Sequence, residues 1–270
     1  MPWLIANGIA LALYAAATAL HLRRGLRGPE DAAHARFFAG VGVAMHISAL
    51  VGEAATGILP GFGEALSAAS LGVMLAYVLV GRDRLATLGV FLLPVSTILQ
   101  GASFLVPSST VSSLTAAGHG TWWLPIHLGL VFAGFAGFFL ELCVAGMQTV
   151  VRNRLKRKQF KDLARLPALE ALELLQKRSL MFGLACLGLG VVMGAVGAST
   201  LLNHSAWIED PKVLISAVIW CWYAGLFQFR SRLGWSGRYS LTMSAIGFGT
   251  LVFSFVALPF VVQGFHAYGG

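Results

Sequence analysis

Eight long apolar runs, at 2–22, 37–57, 65–81, 87–105, 124–150, 179–202, 213–229 and 240–264, take up most of this 270-residue chain. A helix needs about 20 apolar residues to cross the hydrocarbon core of a bilayer. Backbone groups in lipid must find their hydrogen-bond partners within the segment, so each run is expected to be a helix. Composition agrees: 57% of residues are hydrophobic and 11% charged, against about 25% charged in a soluble domain. The expected fold class is all-α, a polytopic integral membrane bundle of about eight transmembrane helices forming one domain over residues 1–270.

The loops between the runs carry the orientation. With the N-terminus outside, the inner loops 23–36, 82–86, 151–178 and 230–239 hold four, two, nine and three basic residues, which leaves only Lys212 of the 19 outside. Lysine and arginine stay on the cytoplasmic side during insertion, so both termini are expected outside. Met1–Leu22 has no basic residue before it and three arginines soon after, the reverse of a signal peptide. The net charge of +8 implies no nucleic acid, because a basic inner loop facing anionic lipid accounts for the run Arg152–Lys161. Within that loop Leu163, Leu166, Leu169, Leu172 and Leu175 recur every three residues, a pattern expected for a short amphipathic helix on the membrane surface. Cys143, Cys186 and Cys221 lie in apolar runs without a CxxC pair, so a disulfide framework, a zinc site and covalent c-type haem attachment are unsupported.

Several polar residues need an account. His21 and His34 flank the first inner loop and are expected at the surface, and His119 falls in the outer loop 106–123. His127 opens the fifth run after Trp122-Trp123-Leu124-Pro125, and His266 follows the eighth in Gly264-Phe265-His266-Ala267-Tyr268-Gly269. Both stand at the outer face, where two readings remain open: interfacial histidines on a solvated edge, or an imidazole pair on one iron. His46, with Glu53 seven residues on, and Glu141 lie inside spans. Each is either a functional site or an interhelical hydrogen-bonding group. Glu141 stands 14 residues from His127, roughly 21 Å along a helix, too far to share an iron with it. His204 sits in the outer loop Asn203–Lys212 beside Trp207, Glu209 and Asp210, either solvated or part of a ligand-covering loop.

The segment Gly194–Lys212, GAVGASTLLNHSAWIEDPK, resembles the tryptophan-rich haem-handling loop of the cytochrome c assembly family, the CcsA/HemX-like group related to ResC and CcmC. Gly194, Ala195, Val196, Trp207, Asp210, Pro211 and Lys212 match that loop without a gap, and Trp220 also fits. The run Gly247–Gly269 resembles the family's last helix, with GFHAYG where GLHSYG is usual. Trp123–Gly146 resembles the helix that opens with its histidine, and Leu93–Gly101 and Phe62–Tyr77 match more weakly. The resemblance covers a core of about 40–270. It implies that His127 and His266 are the two outward-facing haem ligands, and that Trp207 and Asp210 belong to the loop over the haem face. Two departures stand beside it. Ile208-Glu209 replaces a polar–Trp pair, and Gly61 and Gln228 occupy the positions of the family's membrane-buried ligand pair. The resemblance therefore implies one haem b per chain, at the outer face.

Two functions follow from different classes. One is a haem-binding assembly protein for cytochrome maturation in a bacterial inner membrane or an equivalent energy-transducing membrane, working with other membrane proteins that hold the apocytochrome. The other is a b-type cytochrome or structural subunit of an electron-transfer complex. No nucleophile–base or hydrolase constellation marks a stand-alone catalyst. Cysteine labelling should place Lys156 in the cytoplasm and His204 and Gly270 outside; His204 and Gly270 on opposite sides of the membrane would break the eight-helix topology.

Overall fold

In a computed structural model, residues 2–24, 29–54, 61–106, 123–159, 166–201, 211–233 and 238–256 are described. Among them every regular element is helical: α1 (Pro2–Arg24), α2 (Pro29–Ala54), α3 (Phe62–Val80), a 3-10 turn (Asp83–Leu88) leading into α4 (Gly89–Ser103), α5 (Trp123–Lys156), α6 (Leu169–Leu201), α7 (Pro211–Leu233) and α8 (Arg238–Val256). Eight spans among the described residues are long and apolar enough to cross a membrane. The chain is an integral membrane protein of the expected all-α class.

Three helices run furthest past the apolar pattern. α2 starts at Pro29, where a proline loses nothing because the first N–H of a helix has no partner. α5 continues to Lys156, with Arg154 and Lys156 in its last turn, where cations suit the helix dipole. A Schellman closure ends it: Lys158, at φ 55°, takes the left-handed position, while Gln159 N–H bonds Arg154 O and Lys158 N–H bonds Leu155 O. The third case corrects the leucine repeat. From Leu169 onward it forms the first turns of α6 and not a separate surface helix. No glycine or proline interrupts the chain from Ala168 to Phe182, so nothing stops the helix there. Leu172 is buried while Glu173, Leu174 and Lys177 are exposed; Leu163 lies outside the described residues.

The structure divides into two compact units, residues 1–110 with 150–172, and 111–149 with 173–270. In the first, α1 packs on α2, α2 on α3, α3 on α4 and α4 back on α1, so four helices close on themselves. Lipid tails are as apolar as leucine, so packing and interhelical hydrogen bonds hold such a bundle. Ser70 on α3 and Ser96 on α4 illustrate this, each hydroxyl donating to the other residue's carbonyl at 2.9 and 3.0 Å. On the α1–α4 seam the hydroxyls of Thr18 and Thr97 stand 2.8 Å apart.

At the centre of this unit a polar chain links all four helices. Gln100 Nε2 donates to Asn7 Oδ1 at 2.8 Å, and Ser67 Oγ donates to Gln100 Oε1 at 3.3 Å. With its proton thus committed, Ser67 Oγ accepts from His46 Nε2–H at 2.7 Å. His46 Nδ1 then accepts from the Tyr14 hydroxyl at 3.1 Å. Tyr14, His46 and Gln100 are fully buried. Gly42, one turn before His46, gives the Tyr14 ring its room, since a Cβ there would come within 2.7 Å of Tyr14 Cε1. Of the two readings of His46, the geometry supports an interhelical hydrogen-bonding group. His21, expected at the surface, is instead 7% exposed and packs edge-on against Tyr77, because Gly89 leaves space for both rings. His34 is exposed as expected.

His46→Ala should lower the stability of the purified protein by about 1–2 kcal/mol, because Tyr14 and Ser67 would both lose a buried partner. Ser48→Ala, at an exposed position on the same helix, should change it by less than about 0.5 kcal/mol. Reversible unfolding in detergent, with equal losses for the two variants, would argue against the network's role.

Candidate ligand site at the start of α5

The second unit is built on an antiparallel pair, α5 against α6, joined along a seam of small residues. A Cβ on Gly137 would lie 3.0 Å from the Gly183 backbone, and one on Gly134 would lie 3.0 Å from Leu187 N. One on Gly190 would meet Val131 at 3.0 Å. Absent side chains let the two backbones approach closely enough for packing contacts to hold them together in lipid. α7 is fastened to both neighbours through indoles: Trp220 Nε1–H donates to Leu184 O on α6 at 3.0 Å, and Trp222 Nε1–H to Met243 O on α8 at 3.0 Å. Between the helices lies a core of Phe138, Leu180, Leu187, Ile219, Tyr223, Leu226 and Leu251, with Phe138 stacked flat on Tyr223 at 3.8 Å.

His127 sits at one end of this seam, in the second turn of α5. Its Nδ1 is 2.7 Å from the carbonyl oxygen of Gly190. A carbonyl only accepts, so Nδ1 carries the proton and the lone pair of the neutral ring is on Nε2. A neutral imidazole with its other nitrogen held by a carbonyl is the form in which histidine binds a metal. Trp123, one turn earlier and 5% exposed, lies edge-on to the ring at a centroid distance of 6.3 Å. Opposite these two rings α6 presents glycines: a Cβ on Gly194 would lie 2.7 Å from His127 Cε1, and one on Gly197 would overlap the Trp123 indole.

Glu141 is handled differently. Its Oε1 accepts from Gln176 Nε2 at 2.6 Å and from Ser244 Oγ at 2.9 Å, with Arg230 Nη1 at 3.4 Å. Arg230 also donates to Ser240 Oγ at 2.9 Å. Four helices thus converge on one fully buried carboxyl group, and these partners offset the cost of placing an acidic side chain inside a membrane helix. Of the two readings of Glu141, the geometry supports an interhelical group that joins α5 to α6, α7 and α8.

Of the residues singled out for haem, His127 is in place on α5, while His204, Trp207, Asp210 and His266 lie outside the described residues. The matched segment Gly194–Lys212 is not all loop: Gly194–Leu201 forms the last turns of α6 and Pro211 starts α7. Gly61 caps the start of α3, where its N–H donates to Glu64 Oε2 at 2.9 Å. Gln228 is exposed on α7. The cysteines form no disulfide. Sequence reasoning missed Trp123 and the glycines of α6 as parts of the His127 site. The available signal was the spacing of Gly190, Gly194 and Gly197, which puts all three on one helical face.

Comparison with known proteins then settles the family. The sequence profile described as cytochrome C assembly protein matches residues 61–266. The chain belongs to the cytochrome c assembly protein family. Relatives named cytochrome c biogenesis protein CcsA share its sequence at a moderate level. The one from Prochlorococcus marinus (strain MIT 9312) is 26% identical over 189 residues, which is 62% of this chain and 61% of that protein. The one from Gloeobacter violaceus is 33% identical over 100 residues, 37% of this chain and 29% of that protein. A third, from Guillardia theta, is 24% identical over 163 residues, 54% of each. The chain therefore spans less than two thirds of the length of these relatives.

In this member of the family, Gly197→Ala should cost about 1–3 kcal/mol, because the added methyl overpacks the Trp123 contact. Gly146→Ala, at a position on α5 with nothing within 4 Å of a new Cβ, should be neutral or stabilising by up to about 1 kcal/mol. Unfolding midpoints of the two variants, measured side by side in detergent, check the seam.

Proposed function

We propose that the chain holds one haem b at the outer membrane face, with His127 and His266 as the residues that would hold it, and that it serves cytochrome c maturation. The membrane would be a bacterial inner membrane or an equivalent energy-transducing one. The observation that carries this reading is the His127 ring, fixed by the Gly190 carbonyl in the tautomer with its lone pair on Nε2. Family membership supports a role in cytochrome c maturation, and the resemblance of the last run to the family's final helix supports His266 as the second ligand. Trp207, Asp210 and His204 would line the loop over the haem face. Their neighbour α6 runs from the His127 contact straight into that segment.

Haem held by His127 and His266 would supply an iron centre suited to holding or passing electrons more than to oxygen chemistry. The residues of the chain bind and orient: His127 offers a nitrogen, Trp123 walls one side of its ring, and the glycines of α6 keep the space beside it clear. The expectation of one haem is supported by His46, whose two nitrogens are both engaged by side chains, and by Gly61 and Gln228, which offer no imidazole. Partners would be lipid and other membrane proteins of a maturation complex, which would hold the apocytochrome.

Replacing His127 or His266 by Ala should convert a low-spin bis-imidazole spectrum to high spin or lose the haem, whereas His204→Ala should do less. A pyridine haemochrome assay should count one haem per chain. Normal low-spin spectra in both single variants, or two haems per chain, would defeat the reading.

A further inference from the structure

We infer that α6 sets the tautomer and ring plane of His127, with the Gly190 carbonyl and the bare Cα of Gly194 acting as positioning elements for its Nε2; the haem part of this inference rests on the function proposed above. Two contacts on one helix face fix the ring. The Gly190 carbonyl takes the Nδ1 proton at 2.7 Å, using the oxygen lone pair that its own helix bond leaves over. One turn later Gly194 stands beside the ring, where a Cβ would lie 2.7 Å from Cε1 and 2.8 Å from Nδ1. Any side chain at 194 would therefore push the ring off the carbonyl. Glycine at 190 is needed for a different reason: its Cα faces Val131 and Leu130 on α5, and that approach brings its carbonyl within reach of a residue one turn earlier on α5. Trp123, seated on Gly197, closes the end of the same seam.

The consequence is a ligand nitrogen chosen by backbone and not by a carboxylate. A carbonyl cannot take the proton away from the ring, so Nε2 stays a neutral donor. The same helix continues without a break from Gly190 to Leu201, where residues 202–210 begin. A shift of α6 along or about its axis would move the carbonyl and the Gly194 gap together, and with them the direction in which Nε2 points.

The test uses the full chain in detergent, labelled with 15N-histidine and free of haem, at about pH 8, where an ordinary imidazole is neutral. The His127 signals are assigned by their loss in His127→Gln. Free neutral histidine favours the Nε2–H tautomer; His127 is expected to show the inverse, a protonated Nδ1 and an unprotonated Nε2. Gly194→Ala and Gly194→Val should move the ring progressively back towards the Nε2–H form, while Gly146→Ala should leave it unchanged. In the haem-loaded protein Gly194→Val should raise the high-spin fraction, as is expected of His127→Ala. An Nε2–H tautomer in the unaltered protein, or Gly194 variants with unaltered His127 signals, would overturn the inference. A normal Nδ1–H signal together with an unaltered haem spectrum in His127→Ala would instead overturn the haem reading and support the positioning.

Discussion

Hydrocarbon offers no partner to a polar group, and the rest of this structure follows from that. Each backbone N–H and C=O in a span must be answered inside its own helix, so the eight apolar runs have one secondary structure open to them. The same rule governs side chains. Asn7, Tyr14, His46, Ser67 and Gln100 come from four helices and answer one another in a single chain of hydrogen bonds. Glu141 draws Gln176, Arg230 and Ser244 from three helices. Each unit thus has a polar knot at which its helices are tied.

Close approach is the second requirement, because apolar side chains gain nothing by leaving lipid for protein. Glycine supplies it where two backbones must touch: Gly134 and Gly137 against Leu187 and Gly183, Gly190 against Val131. At the end of that seam the same device makes room for two aromatic rings. Gly194 and Gly197 face His127 and Trp123, so the packing that joins α5 to α6 also shapes the site.

Two of the buried or half-buried histidines, His46 and His127, show how surroundings decide which ring nitrogens are engaged. His46 gives its proton to Ser67 and its lone pair to Tyr14, which leaves neither nitrogen for iron. His127 gives its proton to a backbone carbonyl and carries its lone pair on the nitrogen away from it. Both are intramembrane or interfacial histidines in the sequence, and the distinction between them comes from what lies across the helix interface.

The apolar runs, their number and the one-sided placement of basic residues were legible in the sequence, because hydropathy and charge are summed along the chain and need no neighbour across space. The family was legible too, through Gly194–Val196, Trp207–Lys212 and the run ending in His266, which are local strings. Helix ends were less so: α2, α5 and α6 extend past the apolar runs, since charged residues do not stop a helix, and α5 ends only where Lys158 takes the left-handed position. What only the tertiary structure decided were the contacts between elements far apart in the chain. The burial of His21, the engagement of both His46 nitrogens, the Arg230–Glu141 pair and the Gly190 carbonyl on His127 all join residues on different helices, 32 or more positions apart for His46–Tyr14, His127–Gly190 and Glu141–Arg230. A hydrogen bond is set by ångström-scale distance and direction, and sequence spacing specifies these only within one helix.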